Sequence, residues 1–190
     1  MSADGLRHWQ LKWRARVWLL LGRHEAARQV FGEMLAHRPD DAHALASRSY
    51  LLAQLGQREA AIADAERLTA RHPDRSAADW FNLGHLLDAS DRPGQAESAF
   101  RRAVALDPVL DRAWYGLALV LIRQGKLDEA AAALERNTEL QPMSPYGWYQ
   151  LARLQANRQQ PEKARRIIRH LKGFEPEVAS QLQRETGLAP

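Results

Sequence analysis

The sequence has no cysteine. That excludes a disulfide framework, zinc–thiolate sites and thiol catalysis, and it is compatible with any compartment. It also has no long apolar run. The longest near its start is Val17 to Leu21, too short for the core of a secretion signal and far below the roughly 20 residues that span a bilayer. A cytoplasmic protein without a membrane anchor is therefore expected. Lysine is scarce as well: of 27 basic residues 23 are arginine and 4 are lysine. Arginine forks suit carboxylate or phosphate partners, and a GC-rich genome produces the same bias.

Signatures of catalysis are missing too. The seven histidines are scattered, with no pair at i, i+4 and no His-Glu-x-x-His. There is no glycine-rich phosphate loop, no nucleophile elbow and no pair of carboxylates placed for a cleft. No enzymatic activity, cofactor or metal is expected. The net charge is +4 and the pI near 9.7. Basicity this mild fits an acidic protein partner, a nucleic acid or nothing specific. Basic clusters such as Arg101-Arg102 and Arg165-Arg166 read as solvated outer faces. With no recognised nucleic-acid fold beside them, nucleic-acid binding is not expected.

What the sequence has in abundance is periodicity. Pro39, Pro73, Pro108, Pro142 and Pro176 follow one another at 34, 35, 34 and 34 residues. Counted back from them, five units run over residues 8–41, 42–76, 77–110, 111–144 and 145–176. Other columns keep the same phase. The eighth residue of each unit is Ala15, Ser49, Gly84, Ala118 or Ala152, always small. The twentieth is Ala27, Ala61, Ala96, Ala130 or Ala164. The fourth is Leu11, Leu45, Trp80, Trp114 or Trp148. Each unit holds two apolar stretches of helical period. They part near its fifteenth residue, at Gly22, Gly56, Asp91, Gly125 or Gln159, where glycine ends a helix in a left-handed conformation. Small residues at the eighth and twentieth places let the paired helices approach closely.

This pattern resembles the tetratricopeptide repeat family, whose 34-residue unit carries an aromatic, Leu-Gly, Ala, a second aromatic and Pro at fixed offsets. The unit from Ala77 shows it most fully, with Trp80, Leu83-Gly84, Ala96, Phe100 and Pro108. The likeness covers residues 8 to 176. It implies an all-α fold: a right-handed superhelical solenoid of five antiparallel helix pairs, forming one domain over residues 1–190. Residues 177–187, polar and helix-forming, are expected to add a capping helix, making eleven helices. Three departures stand out. Arg14 and Arg48 occupy a leucine column and Gln155 replaces an apolar residue, so looser packing is expected in the first, second and fifth units.

The resemblance also implies where a partner would sit. Stacked units curve, and the first helix of each lines a concave groove. The groove columns hold Trp9, Lys12 and Arg16 in the first unit and His43 and Tyr50 in the second. In the third they hold Phe81, His85 and Asp88, with Asn82 at the edge. The fourth supplies Arg112, Tyr115 and Leu119, and the fifth Tyr146, Tyr149 and Arg153. All four tyrosines of the chain fall in this set. Tyrosine and arginine together anchor protein partners well, and tyrosines can equally bridge neighbouring helices. The expectation is a non-enzymatic adaptor or scaffold holding a protein segment, with basic residues favouring acidic side chains or a C-terminal carboxylate. The subfamily that clamps the tails of heat-shock chaperones has a lysine-asparagine pattern of which only Lys12 is matched. A second expected surface is the first helix, where Trp9, Trp13 and Leu20 share a face and no extra helix precedes the unit. Either residues 1–6 fold back over the tryptophans or this end pairs with another copy.

The fourth-column tryptophans are expected to serve core packing.

Overall fold

A computed structural model describes residues 3–188. The idea that residues 1–6 fold back over the tryptophans bears on two positions, Met1 and Ser2, that lie outside these. From Ala3 onward the chain is already helical and continues straight into the first unit.

Among the described residues there are eleven helices and no strand. They are α1 (Ala3–Leu20), α2 (His24–His37), α3 (Ala42–Gln54), α4 (Arg58–Arg71), α5 (Ala77–Ala89), α6 (Pro93–Leu106), α7 (Asp111–Arg123), α8 (Leu127–Leu140), α9 (Pro145–Asn157), α10 (Pro161–Lys172) and α11 (Pro176–Thr186). The all-α architecture that the resemblance implies and the capping helix expected over residues 177–187 are both present. The first four of the phased prolines lie two residues beyond a helix end, in keeping with their inability to continue it. Pro176 behaves differently: α10 ends at Lys172, with Gly173 as its cap, and this proline opens α11.

The turn after each first helix has one geometry. Gly22, Gly56 and Gly125 take φ of 67°, 75° and 74°. Asp91 and Gln159 adopt the same left-handed conformation, at φ 55° and 57°. In every case the next amide reaches back to close the helix: Arg23 N to Trp18 O at 2.8 Å, Gln57 N to Leu52 O at 2.8 Å, Arg92 N to Leu87 O at 3.0 Å, Lys126 N to Leu121 O at 2.9 Å and Gln160 N to Gln155 O at 2.9 Å. This six-to-one bond satisfies a carbonyl that the helix end would otherwise leave open. Asp41 and Ser76 cap the starts of α3 and α5, accepting from the amides of Ala44 and Ala78.

The chain divides into two compact units between Arg92 and Pro93. In the first, α1 to α5 each pack on the next. Its core gathers Leu11, Ala15, Ala27, Phe31, Met34, Leu45 and Leu51, all nearly sealed from solvent. The close approach at the eighth and twentieth columns is explicit here, since Ser49 Oγ donates to the Ala61 carbonyl at 2.8 Å. In the second unit α6 to α10 pack in the same serial way, and α11 covers α9 and α10 through buried Ala179 and Leu182. Close approach recurs at Gly147, where an added Cβ would fall 2.2 Å from Asn137 Oδ1.

The structure corrects two packing expectations. Arg48 does not loosen its repeat. Its guanidinium grips Asp64 through two bonds of 2.6 Å, and Asp64 is almost completely buried. Gln155 is likewise sealed, at 1% exposure. The fourth-column tryptophans are only half-buried. Each indole N–H donates to a proline carbonyl in the preceding loop: Trp80 to Pro73, Trp114 to Pro108 and Trp148 to Pro142, at 2.8–3.0 Å. They pin one repeat to the loop before it, which leucine at that column cannot do.

Candidate functional site

The first-helix faces of the two units carry the polar and aromatic residues that the core does not need. In the first unit, α3 and α5 enclose a cleft of about 470 Å³. Its floor is apolar, built from Ala46, Ala53, Ala65, Leu68 and Leu86. Small side chains are what let the cleft exist, because larger ones at these places would fill it. Tyr50 and Phe81 stand at its edges with Asn82 and His85. Tyr50 is 63% exposed, a large aromatic surface held in water. Phe81 rests on His85, ring centroids 6.4 Å apart. Arg58 also lines the cleft, and the carboxylate of Asp79 beside it is already engaged by Arg75 at 2.5 and 2.8 Å. Asp88 lies half-buried one turn beyond His85.

The other first-unit residues fall elsewhere. His43 sets its ring edge-on to Phe31, and although the residue stays exposed, burial there lowers its pKa, with Lys12 adding to the effect. Trp9 and Arg16 join Trp13 on an exposed face of α1: the two indoles meet edge to face at 6.0 Å, and the Arg16 guanidinium lies 5.7 Å over the Trp13 ring. Together with Leu6, Val17 and Leu20 they form an exposed stripe along the helix, in which Leu20 is 80% exposed.

In the second unit, Arg112, Tyr115 and Leu119 recur at helical spacing on one side of α7, with Arg112 exposed and the other two half-buried. Tyr146 is 71% exposed at the start of α9. One turn on, Tyr149 and Arg153 meet α11. The Tyr149 hydroxyl donates to the carboxylate of Glu185, 2.7 and 2.8 Å from its two oxygens. The Arg153 guanidinium stacks 5.5 Å over the Tyr149 ring, and its Nε stands 3.7 Å from the same carboxylate. Hydrogen bonds from Tyr149 and Gln181 hold the Glu185 carboxyl below the usual carboxylate range, and the carboxylate in turn pushes the Tyr149 phenol up. Glu185 and Gln181 escaped the sequence reading. They are i, i+4 neighbours on a helix read as a polar cap, and that spacing is the signal that they share a face. Arg58 was missed too, because it belongs to a second helix, at the start of α4, and the groove columns lie on first helices.

Among the described residues no group of three or more histidine, aspartate or glutamate side chains is placed to hold a metal, and no helix is long and apolar enough to cross a membrane.

Models of the tetratricopeptide repeat match residues 13–33, 81–145 and 121–173, together more than half of the chain. The chain belongs to the tetratricopeptide repeat family. Its architecture, helix hairpins stacked in a solenoid so that each buries its neighbour's apolar face, is what the columns describe. A curated relative, small glutamine-rich tetratricopeptide repeat-containing protein 2 of Mycosarcoma maydis, is 30% identical over 83 residues; the match spans 44% of this chain and 23% of that protein. Among solved structures, MamA is similar over 98% of both chains with a TM-score of 0.83 and 19% identity. YrrB, described as a TPR protein with an unusual peptide-binding site, is similar over 90% of this chain and 88% of its own, with a TM-score of 0.80 and 20% identity. At these identities the likeness is one of fold.

Proposed function

We propose that this tetratricopeptide repeat protein is a non-enzymatic adaptor that holds a segment of a partner protein against the first-helix faces of its repeats. The observation that carries the reading is the cleft between α3 and α5, where Tyr50 stays 63% exposed over an apolar floor. A folded chain gains by burying a tyrosine ring, so one kept in water beside a hydrophobic cleft is positioned to be buried by something else. Asn82, His85 and Arg58 around it supply hydrogen bonds and charge that would fix the orientation of an extended or helical segment. The family and the peptide-binding site attributed to YrrB support the same mode of action. Within the second unit, Arg112, Tyr115, Tyr149 and Arg153 offer aromatic area and charge of the same kind on first helices.

Partner capture from a native lysate tests this, with the wild-type protein beside a Tyr50→Ala/Tyr115→Ala/Tyr149→Ala variant whose helicity matches. Each central aromatic should contribute about 1–2 kcal/mol of binding, so the variant should lose its partner outright. Retention of every partner would sink the reading.

A second reading, self-association, rests on the α1 stripe. Leu6, Trp9, Trp13, Val17 and Leu20 follow a 3-4-4-3 spacing, which keeps them on one face of the helix, and all are exposed. Arg7, Lys12 and Arg16 flank that face. Pairing two copies would bring these cations together, so association through α1 should strengthen as salt screens them. Sedimentation at rising salt decides: a monomer at every concentration, or a dimer indifferent to Trp9→Glu/Trp13→Glu, removes this reading.

A further inference from the structure

The groove columns of the last repeat already hold a ligand group, and it comes from this chain. A carboxylate, that of Glu185, is received by three kinds of donor at once. Tyr149 donates its hydroxyl at 2.7 and 2.8 Å, Gln181 its amide at 2.8 Å, and Arg153 places its guanidinium 3.7 Å away. This is the donor set that recognises an acidic side chain or a chain terminus. The contact is also open. Arg153 is 50% exposed and Glu185 36% exposed, and a hollow bounded by Tyr149, Arg153, Asn157 and Thr186 adjoins them.

Two features suit the carboxylate to release. First, α11 is anchored elsewhere, through buried Ala179 and Leu182, so Glu185 can leave without undocking the helix. Second, Glu185 sits in the final turn of α11, just before Gly187 ends it at φ 68°. Last turns open more readily than helix interiors. Exposed carboxylate contacts of this kind are individually weak, so an incoming carboxylate of similar chemistry can compete for the same donors.

We propose that Tyr149 and Arg153 form a carboxylate-binding site in the last repeat, occupied in cis by Glu185 until an acidic segment of a partner protein takes its place. This rests on the groove reading above and adds to it the chemistry of the partner and a built-in competitor. A competitor in cis lowers the apparent affinity by the fraction of time the site is filled.

The test uses the full chain and a fluorescein-labelled hexaglutamate peptide with a free C-terminal carboxylate, followed by fluorescence anisotropy. Hexaglutamine of equal length serves as control. Glu185→Gln should bind the acidic probe about threefold or more tighter than wild type. Adding Arg153→Gln should abolish that gain. Glu185→Asp, which keeps the charge and draws it back by one methylene, should also gain affinity, and it guards against a Gln variant that disturbs α11. Hydrogen exchange should show the probe loosening residues 183–187 of the wild-type chain. Equal binding by wild type and both variants, still dependent on Arg153, would overturn the cis competition and leave the groove reading standing. Binding by none of them would overturn the carboxylate assignment, while partner capture judges the groove separately. Binding indifferent to Arg153 would likewise overturn the carboxylate assignment.

Discussion

Arg48 shows how one residue can break a repeat's pattern and still be built into its packing. Column seven is arginine in the first two units and leucine in the other three. Column twenty-three is Val30, Asp64, Ala99, Ala133 and Ile167. The two polar intrusions of the second repeat meet in space, at 2.6 Å on both arms of the guanidinium. Breaking such a pair leaves a buried charge alone, whereas replacing both members does not. Arg48→Leu should therefore destabilise the protein by about 3 kcal/mol, because Asp64 has no route to water. Asp64→Ala should cost less, since Arg48 is 28% exposed and can turn outward. The double variant Arg48→Leu/Asp64→Ala should return to within about 1 kcal/mol of wild type. Urea denaturation of the four proteins measures the cycle. Additive losses would mean that the pair is not coupled.

At the scale of the helix and its turns, the five left-handed residues that join the two helices of each repeat offer a direct comparison. Three are glycine, and Gln159 adopts the same conformation at a cost of roughly 1 kcal/mol for a residue with a Cβ. Gln159→Gly should raise stability by about 0.5–1 kcal/mol. An unchanged or lower midpoint in a urea titration would mean that the side chain contributes something the geometry does not show. The helices of the second unit are further tied by Glu97 of α6. It accepts from Lys126 at 2.7 Å, in the turn between α7 and α8, and from Arg101 at 2.9 Å, while Arg101 also reaches Glu129 of α8. The bond from Lys126, chiefly, and that from Arg101 hold the Glu97 carboxyl below its ordinary value near 4.5. A carboxylate with a depressed pKa stabilises the fold above its unfolded value, and loses that contribution as pH falls through the folded value. The stability gap between wild type and Glu97→Gln should accordingly be full at neutral pH and close below about pH 4.5. A gap that persists unchanged at pH 3 would contradict the assignment.

On the scale of the molecule, what was legible in the sequence is what repeats. Columns of alanine and proline report helix boundaries and close contacts because every unit solves the same packing problem. The turn at Asp91 could be placed without a glycine because its neighbours in phase have one. What was not legible depends on single meetings between elements. Nothing in the period says that Glu185 of α11 lands on Tyr149, since α11 is outside the repeat and its register against α9 is set by Ala179 and Leu182. Nor does the period say that a half-buried tryptophan will donate to the previous unit's proline rather than fill a core, because leucine satisfies the same column by packing alone. Groove residues are the extreme case: they are free of the packing rule, so the columns locate them without saying which of them meet. Trp9 and Arg16, which the columns assign to the groove, also meet Trp13 along the exposed stripe of α1, a contact the columns do not announce.

The central claim is that partners are held on the first-helix faces. The most direct measurement replaces Tyr50 and Tyr149, one at a time, with a photoactivatable benzoylphenylalanine and crosslinks in the native lysate. Glu66 on α4 and Glu135 on α8, both exposed on second helices, serve as reference positions. The account predicts the same partner adduct from Tyr50 and Tyr149 and none from Glu66 or Glu135. Adducts from the second-helix positions, with none from the two tyrosines, would contradict it.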